Sequence, residues 1–460
     1  MERNRRIYIL WLSFVASLGG FLFGYYTAVI SGTLSFVRTQ FGLNAIMEGW
    51  YVSSALIGCV AGVSVAGWLS DKYGRKLILI LSALLFLISG IGCIISPSFT
   101  ALVIYRFIGG MGVGIASMLS PMYISEISPS NMRGRLVSVY QFALTIGILF
   151  SYFINAALES FSKVPGLTGS AIFHFVFKEE VWRAMLGMTA VPALIFFILL
   201  LTVPESPRWL MIKGGLEKAR KKLIQILGNE AALDEIKDIE QTVALEKESW
   251  RTALTPGIKR AVFLGVYLAI LAEFTGIDAI IYYGPKILEE VGFAQSDALG
   301  GQVIIGFINM IFTLIAIWKI DKIGRKPLLI AGTSGMLLSL IVIGFLFILN
   351  MAKGYLLLSF ILIFIASFSF SLGPVVWVIL SEIYPTKIRG RAMSIATLVT
   401  WIGTAIIGLL IPVLLDSIGP AITFWIFAMF CLPTIYIGWK LLPETKGKSL
   451  EEIERYWIMK

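Results

Sequence analysis

Two carboxylates lie inside an apolar stretch of the chain, where a charge is costly. They are Glu273 and Asp278, in the segment AEFTGIDAIIYYGPKIL at residues 272–288. A charged side chain at the centre of a membrane costs about 2.5–3.5 kcal/mol on insertion scales unless it is protonated, paired or hydrated. Such acids can exchange a proton, and they can also accept hydrogen bonds from the hydroxyl groups of a ligand. The residue types leave both roles open, and both predict a functional site in this segment.

The composition around these acids is that of a membrane protein. Of the 460 residues, 57% are hydrophobic and 14% are charged, whereas soluble domains average about 25% charged residues. A helix needs about 20 apolar residues to cross the hydrocarbon core. Runs of that kind predict twelve spans, at 7–32, 50–70, 77–96, 99–122, 136–158, 183–203, 261–284, 299–318, 327–349, 355–380, 392–415 and 421–442.

The basic residues predict the orientation of the chain. The net charge is +10, and Lys and Arg are concentrated between the apolar runs, in ERNRR, DKYGRK, NMRGR, DKIGRK and KIRGR. This distribution argues against a nucleic-acid partner, because it does not form one basic patch. By the positive-inside rule it places both termini in the cytoplasm, as expected for a multi-pass protein of the cell membrane without a cleaved signal peptide.

The metal-binding residue types are few and scattered. Cys59, Cys93 and Cys431 all lie in apolar runs, and the single histidine, His174, lies between two predicted spans. We therefore expect no disulfide, no metal site and no cofactor, with a proton as the possible coupling ion.

The sequence contains an internal repeat. DKYGRK at 71–76 returns as DKIGRK at 321–326, and SEISPSNMRGR, which begins at 125, returns as SEIYPTKIRGR, which begins at 381. PESPR and PETKG close the two copies. The repeat predicts an all-helical membrane protein with two six-helix halves, 1–204 and 261–443, a cytoplasmic linker 205–260 and a tail 444–460. We expect short amphipathic helices in the linker, at 214–227 and 235–248.

These motifs resemble those of the sugar porter family of the major facilitator superfamily, whose bacterial xylose/proton symporters and facilitative glucose transporters are the most similar. The resemblance is carried in order by GFLFGYYTAVISG, GWLSDKYGRK, RFIGGMGVGIASMLSPMYISEISPSNMRG, VPESPRWL, GIDAIIYYGP, GPVVWVILSEIYP and PETKG. It implies a major facilitator fold and a monomeric transporter, not an enzyme, that moves a monosaccharide through the lipid bilayer by alternating access.

The resemblance and the polar residue types together identify candidate sugar ligands. In the family, the positions of Gln141, Asn309 and Trp377 contact sugar. The full set of candidates is Gln141, Glu273, Asp278, Tyr282, Tyr283, Asn309, Trp377, Thr400 and Thr404. The alternative for the amides is a hydrogen bond between helices, and packing alone would explain one of the two tyrosines.

The chain departs from the family pattern at the acids. The family has two adjacent glutamines and then GIN in span seven, where this chain has Ala272, Glu273 and Asp278. Span one of the proton symporters reads GYD, and here Tyr26 replaces that acid. Arg106, which neighbours the acid in the symporters, is retained. We therefore expect Asp278, Glu273, Arg106 and Tyr26 to determine proton coupling, with symport as the first hypothesis and facilitated uniport of a sugar or polyol as the second.

The repeated charges predict a gate on the cytoplasmic side, because opposite charges at helix ends can pair in one state of a transporter and separate in the other. The predicted gate residues are Asp71, Arg75, Glu126, Arg133, Glu205, Arg208, Asp321, Arg325, Glu382, Arg389 and Glu444. The alternative is that they only fix topology and cap helices. An efflux antiporter or a non-transporting sugar sensor on the same fold is a weaker functional alternative.

Overall fold

The structure is a computed structural model that describes residues 2–129, 132–165, 169–213, 215–228, 232–233, 236, 256–384, 388–448 and 450–458. Twelve helical segments are long and apolar enough to cross a membrane, and the described part of the chain contains no strand. The predicted all-helical fold with twelve spans is confirmed. The chain is a multi-pass membrane protein.

The first six spans are built from the following helices: α1 (Glu2–Ala28), α2 (Ile30–Phe41), α3 (Ala45–Tyr73), α4 (Arg75–Ile95), α5 (Phe99–Ile127), α6 (Arg133–Ser162), α7 (Ala171–His174), α8 (Val181–Gly187) and α9 (Ala190–Thr202). Helices α10 (Pro207–Ile212) and α11 (Leu216–Leu227) follow in the linker. The second predicted linker helix, 235–248, lies outside the described residues apart from Ile236.

The last six spans contain α12 (Pro256–Phe274), α13 (Ile277–Glu290), α14 (Gln295–Ile323), α15 (Arg325–Ile348), α16 (Gly354–Phe370), α17 (Leu372–Ile383), α18 (Arg389–Ser417) and α19 (Gly419–Tyr436), and α20 (Leu450–Ile458) follows. Two short π-helical turns, Phe175–Glu179 and Ile437–Leu441, complete the order.

Two spans are interrupted where the sequence contains helix-weakening residues. Span seven is broken between α12 and α13 at Gly276, whose φ of 89° is a left-handed conformation that glycine adopts without strain. Span ten is broken between α16 and α17 at Ser371, just before the Gly373–Pro374 pair. Pro285 lies inside α13 and does not end it. Irregular backbone at membrane depth is tolerated where it is buried in protein or lines a cavity.

Packing divides the chain into two compact units. The first comprises Met1–Thr27, Ile57–Ile148 and Leu186–Ser249, and the second comprises Ala28–Leu56, Leu149–Met185 and Trp250–Lys460. Within the second unit, α13 packs against α2, α14 and α18. The division into halves at 204 and 261 stays a prediction.

The outward-facing side chains are those that a lipid environment requires. Trp68, Trp318 and Trp439 are each more than 60% exposed. A lysine ammonium lies over each ring, as with Lys72 over Trp68 at 5.2 Å. Aromatic rings combined with long cationic side chains are typical of membrane interfaces. The three cysteines, in contrast, are at most 1% exposed.

Candidate substrate and proton site

The acids that predicted a functional site are paired with each other at the break in span seven. Glu273 lies in the last turn of α12 and Asp278 in the first turn of α13, and the turn at Gly276 brings their carboxyl groups close enough to interact. Thr404 Oγ1 on span eleven donates to Glu273 Oε2 at 3.0 Å. Two adjacent carboxylates repel each other, and a proton on one of them removes that repulsion. This arrangement can therefore hold a proton at membrane depth.

Asp278 is the more enclosed acid of the pair. It is 4% exposed, and Glu273 is half-buried. Tyr282, one turn further along α13, lies beside the Asp278 carboxyl group. The Asp278 Oδ2 atom is buried and has no hydrogen-bond partner among the described residues. A buried polar atom without a partner is costly, which is typical of functional sites.

Asn309 makes the bond between helices that the sequence analysis gave as the alternative to sugar binding, and its contact with sugar stays a prediction. Its Oδ1 atom accepts hydrogen bonds from Ser369 Oγ at 2.8 Å and from Thr313 Oγ1 at 3.4 Å. The expected bond between helices is therefore present. Its amide nitrogen makes no hydrogen bond within the described part of the chain and remains available as a donor.

Trp377 in the second unit and Gln141 in the first are both half-buried. Neither side chain hydrogen-bonds another described residue, so each leaves polar groups free. Thr400 instead donates to its own helix, with Oγ1 at 2.9 Å from the Ala396 carbonyl oxygen. Of the two threonines predicted on span eleven, Thr404 is therefore the one in contact with an acid.

Tyr283 is fully buried, and its hydroxyl group donates to the Gly408 carbonyl oxygen of span eleven at 2.7 Å. Its donor is therefore used within the protein. The Tyr282 side chain, in contrast, lies beside the Asp278 carboxyl group. The proposed contact of Tyr283 with sugar stays a prediction.

Tyr26 and Arg106 form a buried pair in the first unit. The guanidinium carbon of Arg106 lies 4.7 Å from the centre of the Tyr26 ring, and its Nη1 donates to the Tyr26 carbonyl oxygen at 3.3 Å. The Tyr26 hydroxyl group is 2.8 Å from both Ser89 Oγ and the Arg106 carbonyl oxygen. The position that carries an acid in the related symporters is thus filled by a hydrogen-bonded phenol.

The predicted gate residues form two charge clusters with the same design. The first cluster comprises Asp71, Arg75, Glu126, Glu205 and Ser206, and the second comprises Asp321, Arg325, Glu382, Glu444 and Thr445. In the first cluster, Arg75 pairs with Glu126 at 3.1 Å and with Asp71 at 2.9 Å. In the second cluster, Arg325 pairs with Glu382 at 2.8 Å and with Asp321 at 2.9 Å. Each cluster lies within one unit.

The other predicted gate residues, Arg133, Arg208 and Arg389, lie near these clusters in sequence. Arg133 Nε donates to the Ser125 carbonyl oxygen at 3.0 Å, and Arg389 Nε donates to the Tyr384 carbonyl oxygen at 3.4 Å. Arg208 lies in α10. Their role in gating stays a prediction.

Polar residues that the sequence analysis did not single out also hold span seven. Glu48 has a side chain only 1% exposed, and it lies 2.6 Å from Lys286 Nζ and 2.8 Å from Arg38 Nε. Gln302 is fully buried against α13. A stripe of polar residues along span eight, at Gln302, Asn309 and Thr313, is a helical pattern that could have identified it.

The chain matches the family described as sugar (and other) transporter over residues 12–457. It is 41% identical to the arabinose-proton symporter of Bacillus subtilis strain 168, over 98% of this chain and 95% of that protein. It is 38% identical to the D-xylose-proton symporter of Escherichia coli strain K12, over 98% of this chain and 96% of that protein.

The fold is shared with a solved structure, that of the proton:xylose symporter XylE bound to 6-bromo-6-deoxy-D-glucose. The two have a TM-score of 0.82 at 37% identity, covering 98% of this chain and 100% of the other. The predicted major facilitator fold is confirmed. With its twelve spans and its motifs, the chain belongs to the sugar transporter family of the major facilitator superfamily.

Proposed function

We propose that this chain carries a monosaccharide across the membrane together with a proton, and that the Glu273–Asp278 pair binds the proton. The observation that carries the proposal is the close approach of these two carboxyl groups across the turn at Gly276, because two adjacent carboxylates repel each other and a proton that is gained and lost removes that repulsion. Two similar proteins are named as arabinose and xylose symporters, so a pentose is the first substrate to test.

The environment of Tyr26 supports this location of the proton. Tyr26 donates its only hydroxyl proton to a neighbouring oxygen and provides no carboxyl group beside Arg106. In this proposal the coupling acid lies in span seven instead of span one, while Arg106 and Tyr26 keep a structural contact in the first unit.

The proposed sugar ligands are the polar groups that remain available near the acids or in half-buried positions. In the second unit these are the Asn309 amide nitrogen, the Trp377 indole, Thr404 and Tyr282. Gln141 is the proposed ligand on the first unit. Paired amide groups can hydrogen-bond two sugar hydroxyl groups, and an indole offers a flat apolar face to the sugar ring.

Uptake into proteoliposomes tests the proposal. With labelled arabinose, xylose and glucose as the panel, we expect uphill accumulation of at least one sugar under an inward proton gradient and equilibration without it. Glu273→Gln or Asp278→Asn should abolish accumulation and preserve sugar counterflow, because exchange of bound sugar needs no net proton movement. Asp297→Asn, which removes an exposed acid at the start of α14, is the matched control and should accumulate sugar normally.

Facilitated uniport is the second candidate function. The half-buried position of Glu273 favours it, since an accessible carboxylate can accept hydrogen bonds from sugar hydroxyl groups without transferring a proton. Uptake that is independent of the pH gradient in the unmodified protein, with reduced sugar affinity in Glu273→Gln, would establish uniport and rule out symport.

A further inference from the structure

Among the described residues, four membrane helices contain an internal proline that removes a backbone hydrogen bond, and in three of them the freed carbonyl has a tyrosine donor. Pro121 lies in α5, Pro285 in α13 and Pro412 in α18. Because proline has no N–H group, the carbonyl four residues earlier loses its partner within the helix. The carbonyls concerned are those of Ser117, Ile281 and Gly408. Bulk water is absent from the hydrocarbon region, so such a carbonyl needs a replacement donor within the protein or an ordered water.

Each of these carbonyl oxygens accepts a hydrogen bond from the hydroxyl group of a tyrosine on another helix. The donor–acceptor pairs are Tyr140 to Ser117 at 3.5 Å, Tyr152 to Ile281 at 3.1 Å and Tyr283 to Gly408 at 2.7 Å. All three tyrosines are at most 6% exposed. The fourth internal proline, Pro433, frees the carbonyl of Met429, a residue that is 67% exposed. We assign no tyrosine donor to this carbonyl, and we call the other three tyrosine–carbonyl bonds caps.

The bond at Ile281 is reinforced by a second donor. Gln302 Nε2 is 3.0 Å from the Ile280 carbonyl oxygen and 3.3 Å from that of Ile281. The fit is close, since a Cβ atom on Gly284 would lie 2.1 Å from Gln302 Oε1. The proline-weakened turn of α13 is therefore held by two side chains from neighbouring helices.

We infer that Tyr152, Gln302 and Tyr283 are positioning residues for transport, because they replace backbone bonds that Pro285 and Pro412 remove. Tyr152 and Gln302 hold α13, which carries Asp278 and Tyr282. Tyr283, on α13 itself, holds span eleven next to Thr404. Helix α13, which carries Asp278, is thus linked to span five through Tyr152. Through Tyr283 it is also linked to span eleven, whose Thr404 contacts Glu273.

As a positioning residue, Tyr283 has a role different from sugar binding. Other buried tyrosines also donate to carbonyls, as Tyr123 does to Pro204 at 2.8 Å, so a bond to a carbonyl alone does not identify such a cap. The spacing of four residues to a proline distinguishes the three pairs. Its physical consequence is testable, because alanine at the proline position restores the missing N–H group.

A double-mutant cycle read by hydrogen exchange of the full chain in lipid nanodiscs tests the caps. We expect Tyr152→Phe and Gln302→Leu each to accelerate amide exchange in residues 277–290 about fivefold to tenfold, as loss of a buried bond predicts. In the Pro285→Ala background the same changes should have little effect. In the Pro412→Ala background, the matched control, they should keep their full effect. Equal acceleration in both backgrounds would overturn the inference.

A transport measurement separates positioning from simple stabilisation, and this part rests on the proposed function. Tyr152→Phe should raise KM for sugar about fivefold to tenfold with little change in maximal rate, and Pro285→Ala should rescue it. A lower melting temperature with unchanged KM would reduce Tyr152 to a structural role and contradict the inference. If Tyr283→Phe weakens sugar binding to the same extent in the native background and in the Pro412→Ala background, Tyr283 is a sugar ligand instead of a positioning residue. If the parent moves no sugar of the panel, the proposed function fails, and the exchange cycle decides the inference alone.

Discussion

The two charge clusters have the same bonds in different surroundings. In both, a carboxylate caps the start of a membrane helix: Glu205 accepts the backbone N–H groups of Arg75 and Lys76, and Glu444 accepts those of Arg325 and Lys326. The side chains of the first pair, Arg75 and Glu126, are 6% and 5% exposed. Those of the second pair, Arg325 and Glu382, are 11% and 22% exposed.

The pKa values of the two capping acids are shifted in opposite directions. Burial raises the pKa of Glu205 and outweighs the backbone N–H groups of Ser206, Lys76 and Arg75, which act in the opposite direction. Burial acts in the same sense on Glu444, but the N–H groups of Lys446, Arg325 and Lys326 outweigh it and the pKa of this carboxyl is lowered. The motif thus sets the geometry, and burial decides which protonation state the geometry favours.

Removing the acid that pairs with each arginine should give the largest contrast. We expect Glu126→Ala to lower the free energy of unfolding by up to about 3–5 kcal/mol, because the buried Arg75 keeps only the exposed Asp71 as an ionic partner among the described residues. Glu382→Ala should cost about 1–2 kcal/mol, since water can reach Arg325 and Glu382. Titration with a denaturing detergent in mixed micelles measures both, and Glu217→Ala on the exposed face of α11 is the control. Equal costs would show that burial does not distinguish the clusters.

The glycine before each capped helix gives the second contrast. Gly74 and Gly324 have φ values of 99° and 106°, so alanine at either position should cost about 1–3 kcal/mol in backbone strain. The new Cβ atom would lie 2.1 Å from Glu205 Oε2 but 2.8 Å from Glu444 Oε2, so Gly74→Ala should be the more damaging.

The same unfolding titration measures this pair, with Gly134→Ala as the control, since that position has open space around it. Adding Glu205→Ala to Gly74→Ala should recover only the steric part of the loss. Complete recovery would mean that backbone strain contributes nothing there.

The pH dependence of the capping acids should give the smallest effect, with opposite signs. Glu205 has a raised folded pKa, so its contribution to stability is present below the ordinary value of 4.5 and is lost as pH rises through the folded value. Glu444 has a lowered folded pKa, so its contribution is present above 4.5 and is lost as pH falls through the folded value.

The difference in free energy of unfolding between the parent and Glu205→Gln, or between the parent and Glu444→Gln, isolates the contribution of each carboxyl group. Between about pH 3 and pH 7, the difference should shrink with rising pH for Glu205→Gln and shrink with falling pH for Glu444→Gln. Slopes of the same sign would contradict the assigned balance of burial and hydrogen bonding.

Much of this architecture is readable from periodicity and repeats, because spans, helix breaks and paired motifs are local patterns. The number of spans and the repeated Asp–Arg–Glu residues were predicted in this way. What the pattern lacks is the partner across space. Lys286 and Glu48 are 238 residues apart, and only the packing of the helices brings them together. The opposite pKa shifts of Glu205 and Glu444 also depend on burial, which their near-identical motifs do not encode.

The tyrosine caps lie between these cases. The missing N–H group at each internal proline follows from sequence alone, so the carbonyls of Ile281 and Gly408 could have been marked in advance. Their donors could not, because several tyrosines occur on neighbouring spans and the sequence does not say which hydroxyl group reaches which turn.

The burial of the three cysteines has a practical consequence for chemical labelling. Cys59, Cys93 and Cys431 are all enclosed in packed helices, at 0%, 1% and 0% exposure. A thiol must be accessible to react with a water-soluble maleimide. The native cysteines are therefore expected not to react with such a label. A fluorophore or spin label can then be attached at one introduced cysteine without first replacing the native ones.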